Sequence, residues 1–197
     1  SSYLNTSDNI HQQGFNNKYN VYSVLKPNNL TFANELVPDS SSDIWERLDK
    51  ELLKNIYWQS NTLLYFKRAN KYFPIIEEIL AKNNIPDDFK YLAVIESGFE
   101  YTVSPSGAAG FWQIMKGTAR EYGLEVNYAI DERYNLRKST EAACKYLQKA
   151  YNEFGSWTMA AASYNMGING VKRKMQKQGT NNYFNLHLND ETSRYIF

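Results

Sequence analysis

The sequence contains few of the side chains that form disulfides or bind metals. Cys144 is the single cysteine among 197 residues, which excludes an internal disulfide and any zinc site built from several cysteines. The two histidines, His11 and His187, lie far apart and show no metal-binding spacing. We therefore expect neither a metal nor a cofactor. Because Cys144 falls inside a helical pattern, we interpret it as a small residue of the core or its boundary.

Net charge and long apolar runs are also missing. A formal charge of +1 argues against a nucleic-acid-binding protein whose affinity comes from bulk positive charge. No apolar stretch approaches the length that spans a bilayer, and the polar residues 1–3 do not open a signal peptide. The basic run at 172–174 is more typical of a solvated helix face than of a binding site.

Strand patterns are equally scarce, because no alternating run of useful length occurs. Helical patterns take their place, so the fold is predicted to be mainly α. A first helix is predicted from Asp43 onward, with an apolar face at Ile44, Leu48, Leu52 and Ile56. Further helices are predicted at 61–70, at 75–82 after Pro74, at 118–122, from a cap at Ser139 or Thr140 to a stop at Gly155, at 157–165 and at 171–178.

The chain is predicted to contain one domain at residues 43–197. Residues 1–42 are rich in Asn and Ser and have little periodicity, which predicts a polar tail or an irregular wrap on that domain. An apolar cluster at 21–25 could dock on the core.

The helix that follows Pro86 ends in a carboxyl group, that of Glu96. On this helix Leu92, Ala93 and Glu96 share a face, and the helix is apolar nearly all round, which predicts burial. A carboxyl group that loses hydration has a raised pKa and can serve as a general acid near neutral pH. Most glutamates at helix ends are instead solvated or paired, so the helix alone does not establish catalysis.

The residues that follow Glu96 suggest a carbohydrate site. Turn and small residues at 104–110 lead to Phe111, Trp112 and Gln113. Aromatic faces stack on sugar rings, and amides bind hydroxyl and acetamido groups. Aromatic residues make up 15% of the chain, which suits a glycan groove, although Tyr packs equally well in ordinary cores.

Four sequence blocks resemble the family 1 lytic transglycosylases, whose domain is similar to goose-type lysozyme, and above all their membrane-bound type D subgroup. The blocks are Glu96-Ser97, the segment 107–115 with Thr118 after it, the segment 162–167 and the segment 191–195. The resemblance covers roughly residues 43–197 and implies a lysozyme-like α-helical fold.

The resemblance also implies a reaction that needs a single carboxyl group. In that family the acid protonates the glycosidic oxygen between N-acetylmuramic acid and N-acetylglucosamine in peptidoglycan. The same carboxylate then takes the proton of the C6 hydroxyl, which attacks C1 and leaves a 1,6-anhydro end without consuming water. Glu96 is the implied acid and base, and the intramolecular attack gains from proximity what a protein nucleophile would otherwise supply.

The substrate-binding residues are implied by the same resemblance. Tyr164 is expected near the acid, Gln113 and Met115 at sugar subsites, and Ser104 and Thr118 near the acid or the substrate acetamido group. Asn165 is expected chiefly to fix a turn, and Tyr195 with Glu191 to line or support the cleft. The expected partner is the peptidoglycan strand, with no nucleic acid. We expect a monomer in the periplasm or cell envelope, and a membrane anchor outside this sequence stays open.

Two other functions stay open at this point. Ordinary glycoside hydrolysis uses two carboxylates, and a second one would favour a lysozyme-like muramidase on the same fold. The candidates for that second carboxylate are Glu100, Asp131, Glu132 and Glu141, none of which has a motif of its own. The other possibility is a glycan-binding scaffold that has lost the reaction.

Overall fold

The computed structural model describes residue 25 and residues 27–38 and 41–197. In these residues the fold is mainly α, as predicted, with one short hairpin of strands β1 (Thr31–Phe32) and β2 (Glu35–Leu36). The predicted docking of the cluster at 21–25 lies almost wholly outside the described residues. The helices are α1 (Ser42–Tyr57), α2 (Gln59–Lys82), α3 (Lys90–Ser97), α4 (Lys116–Glu121), α5 (Leu136–Phe154), α6 (Trp157–Met166), α7 (Ile168–Gln178) and α8 (Asp190–Ser193), with 3₁₀ turns at Asp87–Phe89, Glu132–Tyr134 and Tyr183–Asn185.

The core lies between α2, α3, α5 and α6. Helix α5 packs against both α2 and α6, and its Leu147 is fully buried. The three alanines at 160–162 are also buried, so α6 approaches its neighbours closely. Cys144 is buried and unpaired, as the sequence predicts. None of the helices in the described part of the chain is long and apolar enough to cross a bilayer.

Two predicted helix starts are wrong. Pro74 does not open a helix, because it lies inside the 24-residue helix α2. A proline removes only one intrahelical bond, and the buried Ile76 and Leu80 keep the second half of α2 in the core. Helix α5 begins at Leu136 because the Asn135 side chain accepts the Lys138 N–H.

The hydroxyl residues that the sequence offered as caps lie inside α5 instead. Ser139 Oγ donates to the Asn135 carbonyl at 2.8 Å, and Thr140 Oγ1 donates to the Leu136 carbonyl at 2.7 Å. Both side chains are fully buried, and their bonds to the helix satisfy the hydroxyl groups there.

The hairpin at the N-terminal side packs on the domain. Phe32 contacts Phe89 edge to face, with ring centroids 5.3 Å apart. The Glu35 carboxylate accepts the backbone N–H groups of Trp157 and Thr158, the latter at 3.0 Å. Glu35 therefore caps the N-terminus of α6 from a position more than a hundred residues away in sequence.

Candidate active site

Glu96 lies in the last turn of α3, where the chain leaves the helix. Gly98 follows in the left-handed conformation (φ 57°), which ends the helix. A Cβ atom at position 98 would lie 2.7 Å from Tyr65 Cε1, so the Tyr65 ring would have to shift to accept any other residue there. Arg68 Nη1 donates to the Gly98 carbonyl at 2.8 Å. The end of α3, and with it Glu96, is thus fixed by packing and by a hydrogen bond.

Helix α3 is not buried all round, which corrects the prediction. Leu92 and Ala93 are buried, whereas Tyr91 and Ile95 are 50% and 53% exposed. The apolar pattern did not separate the two faces, because the exposed face carries large apolar residues beside a cavity. Glu96 lies between the two faces and is partly exposed.

The pKa of Glu96 is raised to about 7. Loss of hydration is the largest cause, and the negative charge of Glu191 adds to it. The Tyr195 hydroxyl donates a hydrogen bond to Glu96 Oε1 and opposes the shift, because it stabilises the carboxylate. The raised pKa predicted from the sequence is confirmed. Near neutral pH a substantial fraction of Glu96 carries the proton that a general acid needs.

A first cavity, which we call the Glu96 cavity, surrounds this carboxyl group. Its walls come from α1, α2, the end of α3 and the C-terminal segment. The lining residues are Glu51, Asn55, Tyr65, Val94, Ile95, Glu96, Glu191, Arg194, Tyr195 and Phe197.

A second cavity, which we call the Gln113 cavity, contains most of the predicted sugar-binding residues. Gln113, Met115, Thr118, Tyr164 and Asn165 all line it. The other lining residues are Ile114, Tyr122, Ala142, Ala143, Tyr146 and Gly167. Sequence reasoning missed Tyr122 and Tyr146, which sit within ordinary helical patterns and carry no motif.

Tyr164 lines the Gln113 cavity and interacts electrostatically with Glu96. Its hydroxyl donates to the Trp112 carbonyl at 2.8 Å, in the loop that carries Gln113. Burial, and then the charge of Glu96, raise the pKa of Tyr164, so this phenol lies near the acid and stays neutral. Tyr164 in turn adds to the raised pKa of Tyr195, after burial and Glu96. The carboxyl group and the two phenols form one electrostatic cluster.

Three hydrogen bonds from Nε2 hold the Gln113 side chain in place. Its Nε2 donates to the Gly110 carbonyl at 2.9 Å and to Thr102, at 3.1 Å to the carbonyl and 3.2 Å to Oγ1. The backbone of Gln113 has φ 43°, an unusual value for a residue with a side chain. Its Oε1 has no donor among the described residues, so this oxygen can accept a hydrogen bond from a ligand.

Arg133 organises the loop at 107–115, and sequence reasoning missed it. Its Nη1 donates to the Gly107 carbonyl at 2.8 Å and to the Ile114 carbonyl at 3.1 Å. Asp131 holds the guanidinium with a salt bridge of 2.7 Å. Asp131 in turn has a lowered pKa because Arg133 bonds to it. Arg133 and the two carbonyl groups come together only in three dimensions, because they lie 19 and 26 positions apart along the chain.

Two sets of predicted residues lie elsewhere. Phe111 and Trp112 are 1% and 0% exposed, so they belong to the core and cannot stack on a sugar. Trp112 Nε1 donates to the buried Thr140 hydroxyl at 2.8 Å, which explains how the indole is satisfied there. Ser104 lines neither cavity, and its hydroxyl accepts the Ala108 N–H at 3.0 Å inside a turn.

Asn165 and Tyr195 join helices around the site. Asn165 Oδ1 accepts a hydrogen bond from Thr192 Oγ1 at 2.5 Å, which ties α6 to α8. Tyr195 is buried and follows α8, so this tie also places its hydroxyl against Glu96.

The four carboxylates considered as partners of Glu96 are all paired outside its cavity. Glu100 binds Arg68 at 2.7 Å, and Asp131 binds Arg133. Glu132 binds Lys138, and Glu141 accepts from Asn83 at 3.0 Å. The acids that do share the Glu96 cavity are Glu51 and Glu191.

Glu51 was missed by sequence reasoning, although it lies within the predicted first helix. Its Oε1 contacts Lys54 Nζ at 2.9 Å and Arg194 Nη1 at 3.0 Å. Burial alone would raise the pKa of Glu51, but the bonds from these two cations outweigh it and lower the pKa. Glu51 is therefore ionised where Glu96 is protonated.

No cluster of His, Cys, Asp or Glu suited to hold a metal ion occurs within residues 27–38 and 41–197. Burial raises the pKa of the Cys144 thiol to about 12, so it is inert as a nucleophile.

Comparison with known proteins extends these observations. Residues 73–187 match the family model described as Transglycosylase SLT domain. The chain is 31% identical over 159 residues to "Membrane-bound lytic murein transglycosylase D" of Escherichia coli K12 and equally to that of E. coli O6:H1 strain CFT073. These alignments cover 78% of this chain and 34% of each relative, so the chain spans about a third of their length.

A further relative carries a different name. The chain is 29% identical over 123 residues to "Putative tributyltin chloride resistance protein" of Alteromonas sp. strain M-1, which covers 61% of this chain and 59% of that protein.

Proposed function

The chain belongs to the transglycosylase SLT-domain family, and on this premise we propose that it is a peptidoglycan lytic transglycosylase with Glu96 as its single acid and base. The observation that carries the proposal is the carboxyl group of Glu96, whose pKa is raised to about 7 in a cavity beside the predicted sugar-binding residues. The names of the two E. coli relatives support the same activity.

The proposed reaction begins with a proton transfer from Glu96 to the glycosidic oxygen between N-acetylmuramic acid and N-acetylglucosamine. The C1–O bond breaks, and its electron pair stays on the leaving sugar. The Glu96 carboxylate then takes the proton of the muramyl C6 hydroxyl, while that oxygen bonds to C1. The products are a 1,6-anhydromuramyl end and a free N-acetylglucosamine end, and no water is consumed.

The surrounding residues support both steps. The Tyr195 hydroxyl donates to Glu96, so it stabilises the carboxylate that forms after the first proton transfer. Gln113, Met115, Thr118 and Tyr164 are proposed to contact the sugars from the second cavity. Ser104 and Asn165 are proposed to act on the substrate less directly, through the turn and the helix tie described above.

The proposal is tested by the muropeptides that the protein releases from purified peptidoglycan. Wild type should release products with 1,6-anhydromuramyl ends, and Glu96→Gln should release none above background. Glu100→Gln is the matched control, because Glu100 lies four residues on and pairs with Arg68 outside the cavity. Anhydro products from Glu96→Gln at the wild-type rate would contradict the assignment of Glu96 as the acid and base.

A lysozyme-like hydrolase is a second candidate, which the position of Glu51 supports. Two carboxyl groups with opposite pKa shifts in one cavity can divide the roles of acid and base. In that reaction Glu96 protonates the glycosidic oxygen and the C1–O bond breaks, with its electron pair on the leaving sugar. Glu51 takes a proton from water, whose oxygen bonds to C1 and gives a reducing end. Digestion in ¹⁸O-labelled water separates the two candidates, because only hydrolysis puts solvent oxygen on C1. Labelled ends that disappear in Glu51→Gln would favour the hydrolase.

We also propose that the protein works at the cell envelope as a monomer. The substrate is found there, and two relatives are named membrane-bound.

A further inference from the structure

One wall of the Glu96 cavity comes from parts of the chain outside the segment that matches the family model. Residues 73–187 make that match, whereas Glu51, Asn55 and Tyr65 precede it and residues 191–197 follow it. This wall is therefore built by segments that flank the matched one.

Arg194 is the cation of this wall, and two contacts hold it in place. Its Nη1 donates to Glu51 Oε1 at 3.0 Å, and its Nε donates to the Asp190 carbonyl at 3.0 Å. A guanidinium has five N–H groups. The other three have no acceptor among the described residues, and the side chain is 37% exposed. Arg194 thus presents fixed, available donors to the cavity.

Arg194 is the only cation among the described residues that line the Glu96 cavity. Glu51 is a single carboxylate shared by Lys54 and Arg194, so this trio carries a net charge of +1. Lys54 does not line the cavity, whereas Arg194 does. Glu191 is the opposing charge in the cavity, and it acts on Glu96, whose pKa it raises. The charge of Glu191 balances that of the trio, so a carboxylate would be bound by the available N–H donors of Arg194 and not by a net positive charge.

We propose that Arg194 is a specificity-determining residue that binds a carboxylate of the peptidoglycan stem peptide, with Glu51 as its positioning residue. The inference rests on the proposed function. The planar fork of a guanidinium matches a carboxylate, which it binds through two parallel hydrogen bonds. In peptidoglycan the free carboxylates belong to the stem peptides, because the lactyl group of the muramyl sugar is in amide linkage. A strand whose scissile bond lies at Glu96 carries a stem on every muramyl sugar, hence close to this wall.

The test compares two substrates that differ only in charge. Glycan strands are used before and after their stem carboxylates are converted to amides with carbodiimide and ammonia. For wild type, amidation should raise KM about tenfold, the loss typical of a hydrogen bond to a charged group, and leave kcat unchanged. An unchanged KM for wild type would overturn the inference whatever the variants do.

Variants locate the effect at Arg194. Arg194→Gln should raise KM about tenfold on the carboxylate substrate and leave the amidated substrate unaffected. Arg194→Lys keeps the charge without the planar guanidinium. Its KM on the carboxylate substrate should therefore lie between those of wild type and Arg194→Gln. Arg137→Gln is the matched control, because Arg137 forms an exposed ion pair with Glu78 away from the cavity.

Other outcomes are equally informative. Equal losses on both substrates in Arg194→Gln would overturn the inference, since Arg194 would then bind sugar or merely support the wall. Failure of the proposed function looks different, because wild type would then give anhydro products from neither substrate.

Discussion

Two single side chains act on the Glu96 pKa in opposite directions. Glu191 raises it through its charge, and the Tyr195 hydroxyl lowers it through a hydrogen bond to the carboxylate. If Glu96 must be protonated to start the reaction, activity falls as pH rises through about 7. This pH dependence follows from the acid role alone, so it reports on Glu96 directly.

Substitutions at Glu191 and at Tyr195 should shift the pH at which activity falls in opposite directions. Glu191→Gln removes a like charge and lowers the Glu96 pKa, so the loss of kcat/KM should begin at lower pH. Tyr195→Phe removes the bond that stabilises the carboxylate, so the loss should begin at higher pH. The measurement is kcat/KM from pH 5 to 9 for both variants and wild type. Shifts of the same sign in the two variants would contradict this assignment.

Glu96 should also reduce the stability of the fold at high pH. Its folded-state pKa of about 7 lies above the ordinary value of 4.5, so the folded protein holds this proton more tightly than the unfolded chain. Stability from this group is full below pH 4.5 and is lost as pH rises towards 7. Glu96→Gln has no charge to bury, so its advantage over wild type should grow across this window to about 3 kcal/mol.

Urea denaturation of both proteins at several pH values checks this prediction. The difference between the two unfolding free energies is the quantity of interest, because other carboxylates titrate equally in both proteins. A difference that does not change between pH 4.5 and 8 would show that Glu96 is not desolvated in the folded state.

The loop at 107–115 depends on one close backbone contact. Gly110 has φ 78°, and a Cβ atom there would lie 2.1 Å from the Arg133 carbonyl oxygen. Gly107 has φ 88° in the same loop but has open space around a Cβ. A substitution at Gly107 therefore introduces backbone strain alone, whereas one at Gly110 adds a steric clash to it.

Alanine at these two positions should therefore have very different costs. Gly107→Ala should lose about 1 kcal/mol, the cost of a left-handed backbone. Gly110→Ala should lose at least about 3 kcal/mol more, or give no folded protein, because a backbone atom cannot move aside cheaply. Chemical denaturation measures both. Equal losses would mean that the contact between Gly110 and Arg133 does not hold this loop.

Helices and turns were predictable where the signal is local. Gly155 stops α5 in the left-handed conformation, as its position after an apolar helical pattern indicates. The raised pKa of Glu96 was also predictable, because the apolar Leu92 and Ala93 share its helix face and are buried. Phe111 and Trp112 were predicted to face sugar but are buried, since a sequence gives residue type and not the direction in which a side chain points.

Contacts between distant parts of the chain could not be predicted. Glu35 bonds to Thr158 across 123 positions, and Arg194 bonds to Glu51 across 143. Neither pair has a motif, and each acid looks like an ordinary surface residue of its own segment. Four residues of the Gln113 cavity, in contrast, were predicted from the family resemblance and not from any periodicity: Met115, Thr118, Tyr164 and Asn165.

The Glu35 contact predicts that the N-terminal hairpin stabilises the whole domain. Glu35→Ala removes the acceptor for the first N–H groups of α6, the helix that carries Tyr164 and Asn165. The loss should be about 2 kcal/mol, within the range of helix capping and helix-dipole effects. Glu46→Ala, at an exposed acid of α1, should change stability little. Urea denaturation of both variants tests this, and equal small effects would show that the hairpin does not hold α6.

Glu96 is proposed to drive an intramolecular attack that consumes no water. The most direct measurement is the mass of the new muramyl ends that the wild-type chain makes from purified peptidoglycan, with Glu96→Gln beside it. We predict ends lighter by one water than reducing ends, absent in the variant. Reducing ends that depend on Glu96 would contradict the intramolecular attack and make the protein a hydrolase.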